Sequence, residues 1–284
     1  MGARDIIDTH LHLIYRDRLN YPWLANAERL DDDFPYERYL REARRCGITD
    51  ALHMEVDVAE ADMEAETANV GALAAEPDTL IRGAIASCRP ERAEFPAYLE
   101  RALANPLVRG FRRILHEAPD EVSVSPEFRE NVRRLSGTGK PFDVCVRPDQ
   151  LDKAISLVDA APDVQFVLDH CGAPRIAERE FHPWRERVAE LARRPNAAAK
   201  ISGIVAYADG ATWNAQDLRP YVEHVIDAFG WDRVVWGSDW PVCTLNASLS
   251  LWVAATHAIT RGASAEERDK LFAGNARRIW RLPA

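Results

Sequence analysis

Short apolar runs rich in β-branched residues alternate with longer amphipathic stretches along nearly the whole chain. Strand patterns fall at residues 5–13, 48–56, 80–87, 108–115, 141–146, 165–172, 197–204 and 233–241. Between them, apolar positions recur at helical spacing over 36–46, 59–75, 90–104, 126–135, 149–160, 181–194 and 218–229. The punctuation agrees: Ser125-Pro126 starts a helix, and Gly137, Gly139 and Gly230 follow helix ends. Ser264-Ala265-Glu266-Glu267 has the form of a capping box. Strands alternating with helices make a parallel sheet, and eight of them predict closure into a single (β/α)8 TIM barrel over residues 1–284. An open doubly wound sheet would place a glycine-rich phosphate turn after the first strand, where His10-Leu11-His12 stands instead. Residues 13–34, with Tyr21-Pro22-Trp23-Leu24 and Asp31-Asp32-Asp33, read as a loop over the barrel mouth.

Composition narrows the class. Hydrophobic residues make up 47% of 284, ample for a large core. A formal net charge of −9 with no basic cluster argues against nucleic acid as a partner. No apolar run reaches the roughly 18 residues of a membrane span, and no secretory leader is read at the start. Five cysteines without a CxxC pair (Cys46, Cys88, Cys145, Cys171 and Cys243) fit reduced thiols in a cytoplasmic protein. Oligomeric state leaves no mark on the pattern.

The candidate chemistry sits where strand patterns end. In a strand, residues two apart share a face, so His10 and His12 look into one volume, the arrangement of a metal or proton-transfer site. In the same phase, Asp8 is expected to face inward with them. His170 ends the sixth strand pattern and Asp239 the eighth, so a barrel brings three segments to one rim. Each alone has a plainer reading: His170 as a core histidine, Asp239 as a loop cap. Their joint placement favours function. On the fourth strand, one of Arg112 and Arg113 turns inward. Glu55, sharing a face with His53, and Lys200, charged inside an apolar strand, are candidate substrate contacts or mouth residues. Trp23, Trp213 and Trp240 have the flat faces that stack on sugar rings, although core packing is the ordinary use of tryptophan. His116 reaches either mouth or surface, while His182, His224 and His257 fall on helical faces.

Six segments together resemble the amidohydrolase superfamily in its sugar-lactonase branch. They are Ile7-Asp8-Thr9-His10-Leu11-His12, Tyr21-Pro22-Trp23-Leu24, Val108-Arg109-Gly110-Phe111-Arg112, Leu168-Asp169-His170-Cys171-Gly172, Lys200-Ile201-Ser202-Gly203 and Trp236-Gly237-Ser238-Asp239-Trp240-Pro241. The resemblance runs from about Asp5 to Trp280 and implies a barrel hydrolysing aldonolactones such as L-fuconolactone; close relatives open a pyrone dicarboxylate lactone. It implies catalysis by Asp239, His170 and Arg112, with Trp23, Glu55, Lys200 and Trp240 contacting substrate. Members with two metals bridge them through a strand-four lysine or glutamate or a strand-five histidine. Here those strands offer Arg112 and Val144-Cys145-Val146-Arg147, which leaves at most one divalent ion, such as Zn²⁺, on His10, His12 and Asp239. Some lactonases of this branch work without metal, and here the two histidines would then donate hydrogen bonds to substrate. In the mechanism so implied, Asp239 activates water as general base and returns the proton to the leaving ring oxygen. His170, Arg112 or one metal ion stabilises the oxyanion. Two other readings stand beside it: a decarboxylase of an aromatic or muconate-type acid, and a sugar-binding barrel without catalysis.

Overall fold

The computed structural model describes residues 5–210 and 212–283. Eight parallel strands pair in chain order: β1 (Ile6–Leu11), β2 (Ile48–Met54), β3 (Ile81–Ser87), β4 (Val108–Ile114), β5 (Phe142–Cys145), β6 (Phe166–Leu168), β7 (Ala197–Ser202) and β8 (Val234–Gly237). Closure comes where the chain leaves β8. Asp239 N–H donates to the His10 carbonyl and His12 N–H to the Trp240 carbonyl, each at 2.8 Å. Eight helices follow the strands: α1 (Tyr36–Arg45), α2 (Met63–Ala74), α3 (Phe95–Ala104), α4 (Pro126–Arg133), α5 (Leu151–Ala160), α6 (Trp184–Ala192), α7 (Ala215–Phe229) and α8 (Leu249–Ile259). The expected (β/α)8 TIM barrel is the observed fold. No described helix is long and apolar enough to cross a membrane.

Local signals act as read. Ser125 Oγ accepts from Phe128 N–H, and Ser264 and Glu267 cap each other. The barrel interior holds Ile7, Leu52, Met54, Ile85, Val167, Ala198 and Val235, closed by Ala273, Ala276, Ile279 and Trp280 of the C-terminal segment. That apolar plug supports everything above it. Residues 13–34 carry two short 3₁₀ turns at Pro22–Asn26 and Glu28–Leu30, and Ile14 bridges to Phe34.

The strands stop earlier than the apolar runs suggest, and for a reason that matters. Past Leu168 the chain turns sharply, with positive φ at His170, Cys171, Gly172 and Ala173. Past Gly237 it does so at Asp239 (φ 57°). These sites look like strand in the sequence because they are fully buried, yet their backbones are bent to aim side chains into the mouth.

One inward assignment fails. Between Asp8 and Leu11 the register of β1 slips, with Asp8 opposite Ala51 but Leu11 opposite His53. Three steps on β1 therefore match two on β2, and one extra residue reverses the alternation. Asp8 turns away from His10 toward the helices, accepting from the Tyr39 hydroxyl of α1 at 2.7 Å and from Ser238 N–H at 2.7 Å. Buried without exposure, Asp8 thus ties α1, β1 and the β8 exit together. Tyr39→Phe is expected to cost about 1–3 kcal/mol by removing one of its donors. In urea unfolding the midpoint should fall while the slope is unchanged; an unmoved midpoint would refute this tie.

Candidate active site

Three imidazoles surround one carboxylate. His12 Nε2 lies 3.2 Å and His10 Nε2 3.7 Å from Asp239 Oδ1, and His170 Nδ1 lies 3.7 Å from Asp239 Oδ2. Three segments contribute, all at the C-terminal ends of strands, where this fold places its chemistry. The approach is tight enough to dictate small neighbours. A Cβ on Gly237 would sit 2.7 Å from His10 Cβ, and one on Gly203 (φ +57°) 2.1 Å from Asp239 Oδ2. These four residues are 0–5% exposed, in a medium of low polarity.

Beneath them lies a charged layer. Lys200 Nζ contacts Asp143 Oδ2 at 2.6 Å, Asp169 Oδ1 at 3.1 Å and the Thr9 carbonyl at 3.2 Å, with His10 Nδ1 at 3.3 Å. Below, Lys200 rests over the Trp280 ring at 5.4 Å. Arg112 Nε donates to Glu55 Oε1 at 2.6 Å, and its Nη1 reaches Asp169 Oδ2 at 3.3 Å and His10 Nε2 at 3.2 Å. All five side chains are 0–2% exposed. Burial works against the charge of Lys200, but Asp143 and Asp169 hold its pKa above the ordinary value. Against the same penalty, Lys200, His10 and Arg112 hold Asp169 well below the carboxylate range. Burial and the Asp169 charge push Asp143 up to about 7.

The histidines divide accordingly. Burial and the adjacent Lys200 ammonium hold His10 well below the usual imidazole value. At His170, burial is outweighed by Asp239 and Cys145, and the pKa rises. His12 Nδ1 donates to the Met54 carbonyl at 3.0 Å, which leaves its Nε2 lone pair toward Asp239. Ligand atoms 2.0–2.2 Å from one tetrahedral Zn²⁺ lie roughly 3.3–3.6 Å apart. Among the described residues, His10, His170 and Asp239 each bring one ligand atom to within 4.8 Å of the others, a set that could hold such an ion; His12 Nε2 lies 3.2 Å from Asp239 Oδ1 but does not join that set. Arg112 also donates to His10 Nε2 at 3.2 Å, competing for the lone pair that such an ion would use.

Other expected contacts lie elsewhere. Trp240 is fully buried between the rings of Phe34 and Tyr39, at 5.6 and 5.5 Å. It cannot touch substrate there. Lys200 likewise faces the barrel floor, donating to Asp143 and the Thr9 carbonyl with Asp169 Oδ1 3.1 Å away. Glu55 is 1% exposed and committed to Arg112 and to Asp57 N–H, so it braces the site from behind. Partly buried Trp23 donates to the Val56 carbonyl at 2.8 Å, and Trp213 to the Asn246 carbonyl at 2.8 Å. Arg113 turns outward to Glu91. His182, His224 and His257 pair with Glu186, the Arg185 carbonyl and Arg268. Sequence reading missed Asp143 and Asp169. Each is a lone acid in an apolar stretch, the counterpart of the lone Lys200.

His53 supplies a test of this burial. Desolvation, with smaller contributions from His12 and Arg112, pushes it down to about 3. The unfolded chain protonates it near 6.5 and the folded chain does not until about 3, so its stabilising share, complete above pH 6.5, is lost on acidification through that window. Each pH unit there favours unfolding by up to about 1.4 kcal/mol. The stability of His53→Leu should therefore fall less steeply than wild type between pH 6.5 and 4; parallel curves would contradict it.

Residues 7–282 match the sequence family of the amidohydrolases. An L-fucono-1,5-lactonase of Burkholderia multivorans is 31% identical over 306 aligned positions, covering 100% of this chain and 98% of that protein. An L-rhamnono-gamma-lactonase of Scheffersomyces stipitis is 22% identical over 62% of this chain and 60% of its own. The crystal structure of an amidohydrolase from Burkholderia multivorans with bound zinc superposes with a TM-score of 0.88 at 28% identity, covering 98% of this chain and 99% of that one.

Proposed function

Because the chain belongs to the amidohydrolase family, we propose that it is a hydrolase that opens a sugar lactone of the aldonolactone type, such as L-fuconolactone, to the free acid. The observation that carries this is the Asp239 carboxylate set among His10, His12 and His170 within 3.2–3.7 Å. A lactone needs a base for water, positive charge for the oxyanion and an acid for the departing ring oxygen.

Asp239 takes the proton of the attacking water as the water oxygen bonds to the carbonyl carbon. The carbonyl electrons move onto oxygen, beside the imidazole of His170, whose cationic form Asp239 and Cys145 favour. On collapse the bond to the ring oxygen breaks, and Asp239 returns the proton to it as a hydroxyl. Arg112 acts from below by fixing His10 and Asp169 rather than by gripping substrate. One divalent ion on His10 and Asp239 would polarise the carbonyl and acidify water. The residues named above perform the positioning and proton transfer in either case.

Charge accounting favours an uncharged polyol ring over an anionic one. At the strand ends Arg89 pairs with Asp57, Arg112 with Glu55, Arg113 with Glu91, Arg147 with Asp149 and Lys200 with Asp143. None of these cations is left over for a substrate carboxylate, which an aromatic-acid decarboxylase needs.

Asp239→Asn should lower kcat/KM by at least about 10³-fold, in the range of general-base removal or beyond, with circular dichroism and melting near wild type. An active, folded variant would remove Asp239 as the base. A panel of aldonolactones, scored by acid release with a pH indicator, should give turnover on neutral lactones and none on dicarboxylated ones. Preference for the anionic set would overturn the charge argument. After chelation, elemental analysis run beside the same assay separates the two provisions of the site. Activity that falls with metal content assigns His10 and Asp239 as ligands, and full turnover in verified metal-free protein makes His10 and His12 substrate contacts.

A further inference from the structure

A sulfur donor stands beside the carboxylate–imidazole cluster, and the lactone chemistry makes no use of its ligating power. Cys145 ends β5 and is 4% exposed. Its Sγ, one ring nitrogen of His170 and one carboxylate oxygen of Asp169 all lie within 4.8 Å of one another. From the other side comes His116, with Nδ1 3.2 Å from Cys145 Sγ. The His116 side chain is 35% exposed and links the buried thiol to solvent. A further sign is Asp169 Oδ1, which is buried and makes no hydrogen bond of acceptable geometry, although Lys200 Nζ lies 3.1 Å away.

We propose that Cys145, His170 and Asp169 form a binding site for a thiophilic divalent cation, Zn²⁺ or Cd²⁺, with His116 as the ligand on the entry side. Softness separates it from the neighbouring position: a thiolate selects such ions, whereas Mg²⁺ and Ca²⁺ need oxygen donors. Around Zn²⁺, sulfur sits about 2.3 Å and nitrogen or oxygen about 2.0–2.2 Å from the metal, so ligand atoms end roughly 3.3–3.8 Å apart. Closing the observed cluster to that size takes shifts of about 1 Å. On binding, the Cys145 S–H bond breaks, a sulfur–metal bond forms, and the proton leaves to solvent by way of His116. Arg112 and Lys200, flanking Asp169, oppose a cation here, and the new thiolate charge offsets half of the ion's charge. His170 belongs to both positions.

The test is Cd²⁺ titration of chelated, desalted protein, following the ultraviolet thiolate-to-Cd²⁺ charge-transfer band and the metal retained after gel filtration. Wild type should develop the band and keep one equivalent of Cd²⁺ that Cys145→Ser lacks. Added Zn²⁺ should displace the band, and Cys46→Ser, altering a partly exposed thiol, should retain it. Where Cys145→Ser does not fold, His116→Ala decides, with an expected rise of at least tenfold in the apparent Kd for Cd²⁺. The proposal is overturned by a wild type with no band, by a band that survives in Cys145→Ser, or, where His116→Ala decides, by an unmoved Kd. Turnover is not read, so the result stands apart from the outcome of the lactone assays.

Discussion

Everything at the mouth of this barrel depends on a buried ion network, Lys200 and Arg112 against Asp143, Asp169 and Glu55. Two cations face three carboxylates, and burial with the Asp169 charge pushes Asp143 up to about 7. Such a network is no cheap source of stability, since desolvation takes back much of what Coulomb attraction gives. What it supplies is fixed position. Removing any one member would strand the others without partners, at about 3–5 kcal/mol. The layer therefore behaves as one rigid floor, on which the ring of His10 is held between Lys200 and Arg112.

The backbone is shaped to bring the three histidines and Asp239 onto that floor. The extra residue in β1 turns His10 inward while Asp8 turns out to lock Tyr39 and Ser238. His170 and Asp239 sit in left-handed backbone, an unfavourable conformation for residues with a Cβ. Both are held there by contacts around them: His170 by Ser202, at 3.0 Å through Oγ, and Asp239 by the 2.8 Å bond from its N–H to His10. Strain and close packing at the rim are thus coupled to the barrel closure itself.

Much of this was legible in the chain. Eight apolar runs in alternation with amphipathic stretches indicate parallel strands covered on both faces, and the count of eight, without a glycine-rich turn after the first, points to the barrel rather than an open sheet. His10, His12, His170 and Asp239 were visible as ionisable groups at run ends, and they do converge. The sequence pattern was blind to two things. Alternation cannot reveal a bulge, so Asp8 was assigned to the wrong face. Burial hides the difference between a mouth and a floor: Lys200, Glu55 and Trp240 interrupt or end apolar runs as active-site residues do, but each packs inside. Pairing the lone Lys200 with the lone Asp143 and Asp169 would have exposed the network, since a buried charge without a partner is unaffordable.

The central claim is that substrate chemistry happens at the Asp239 carboxylate, above the ion network and among the three histidines. A crystal structure with a bound aldonic acid product, or with a slowly hydrolysed lactam analogue of an aldonolactone, tests it most directly. The account predicts a carboxyl oxygen of the product, or a water about 3–3.5 Å from the lactam carbonyl carbon, within hydrogen-bond reach of an Asp239 oxygen, with His170 beside the carbonyl oxygen. It would be contradicted by a ligand seated instead in the outer cavity of about 650 Å³ lined by Phe181, Trp213 and Tyr221, with Asp239 untouched.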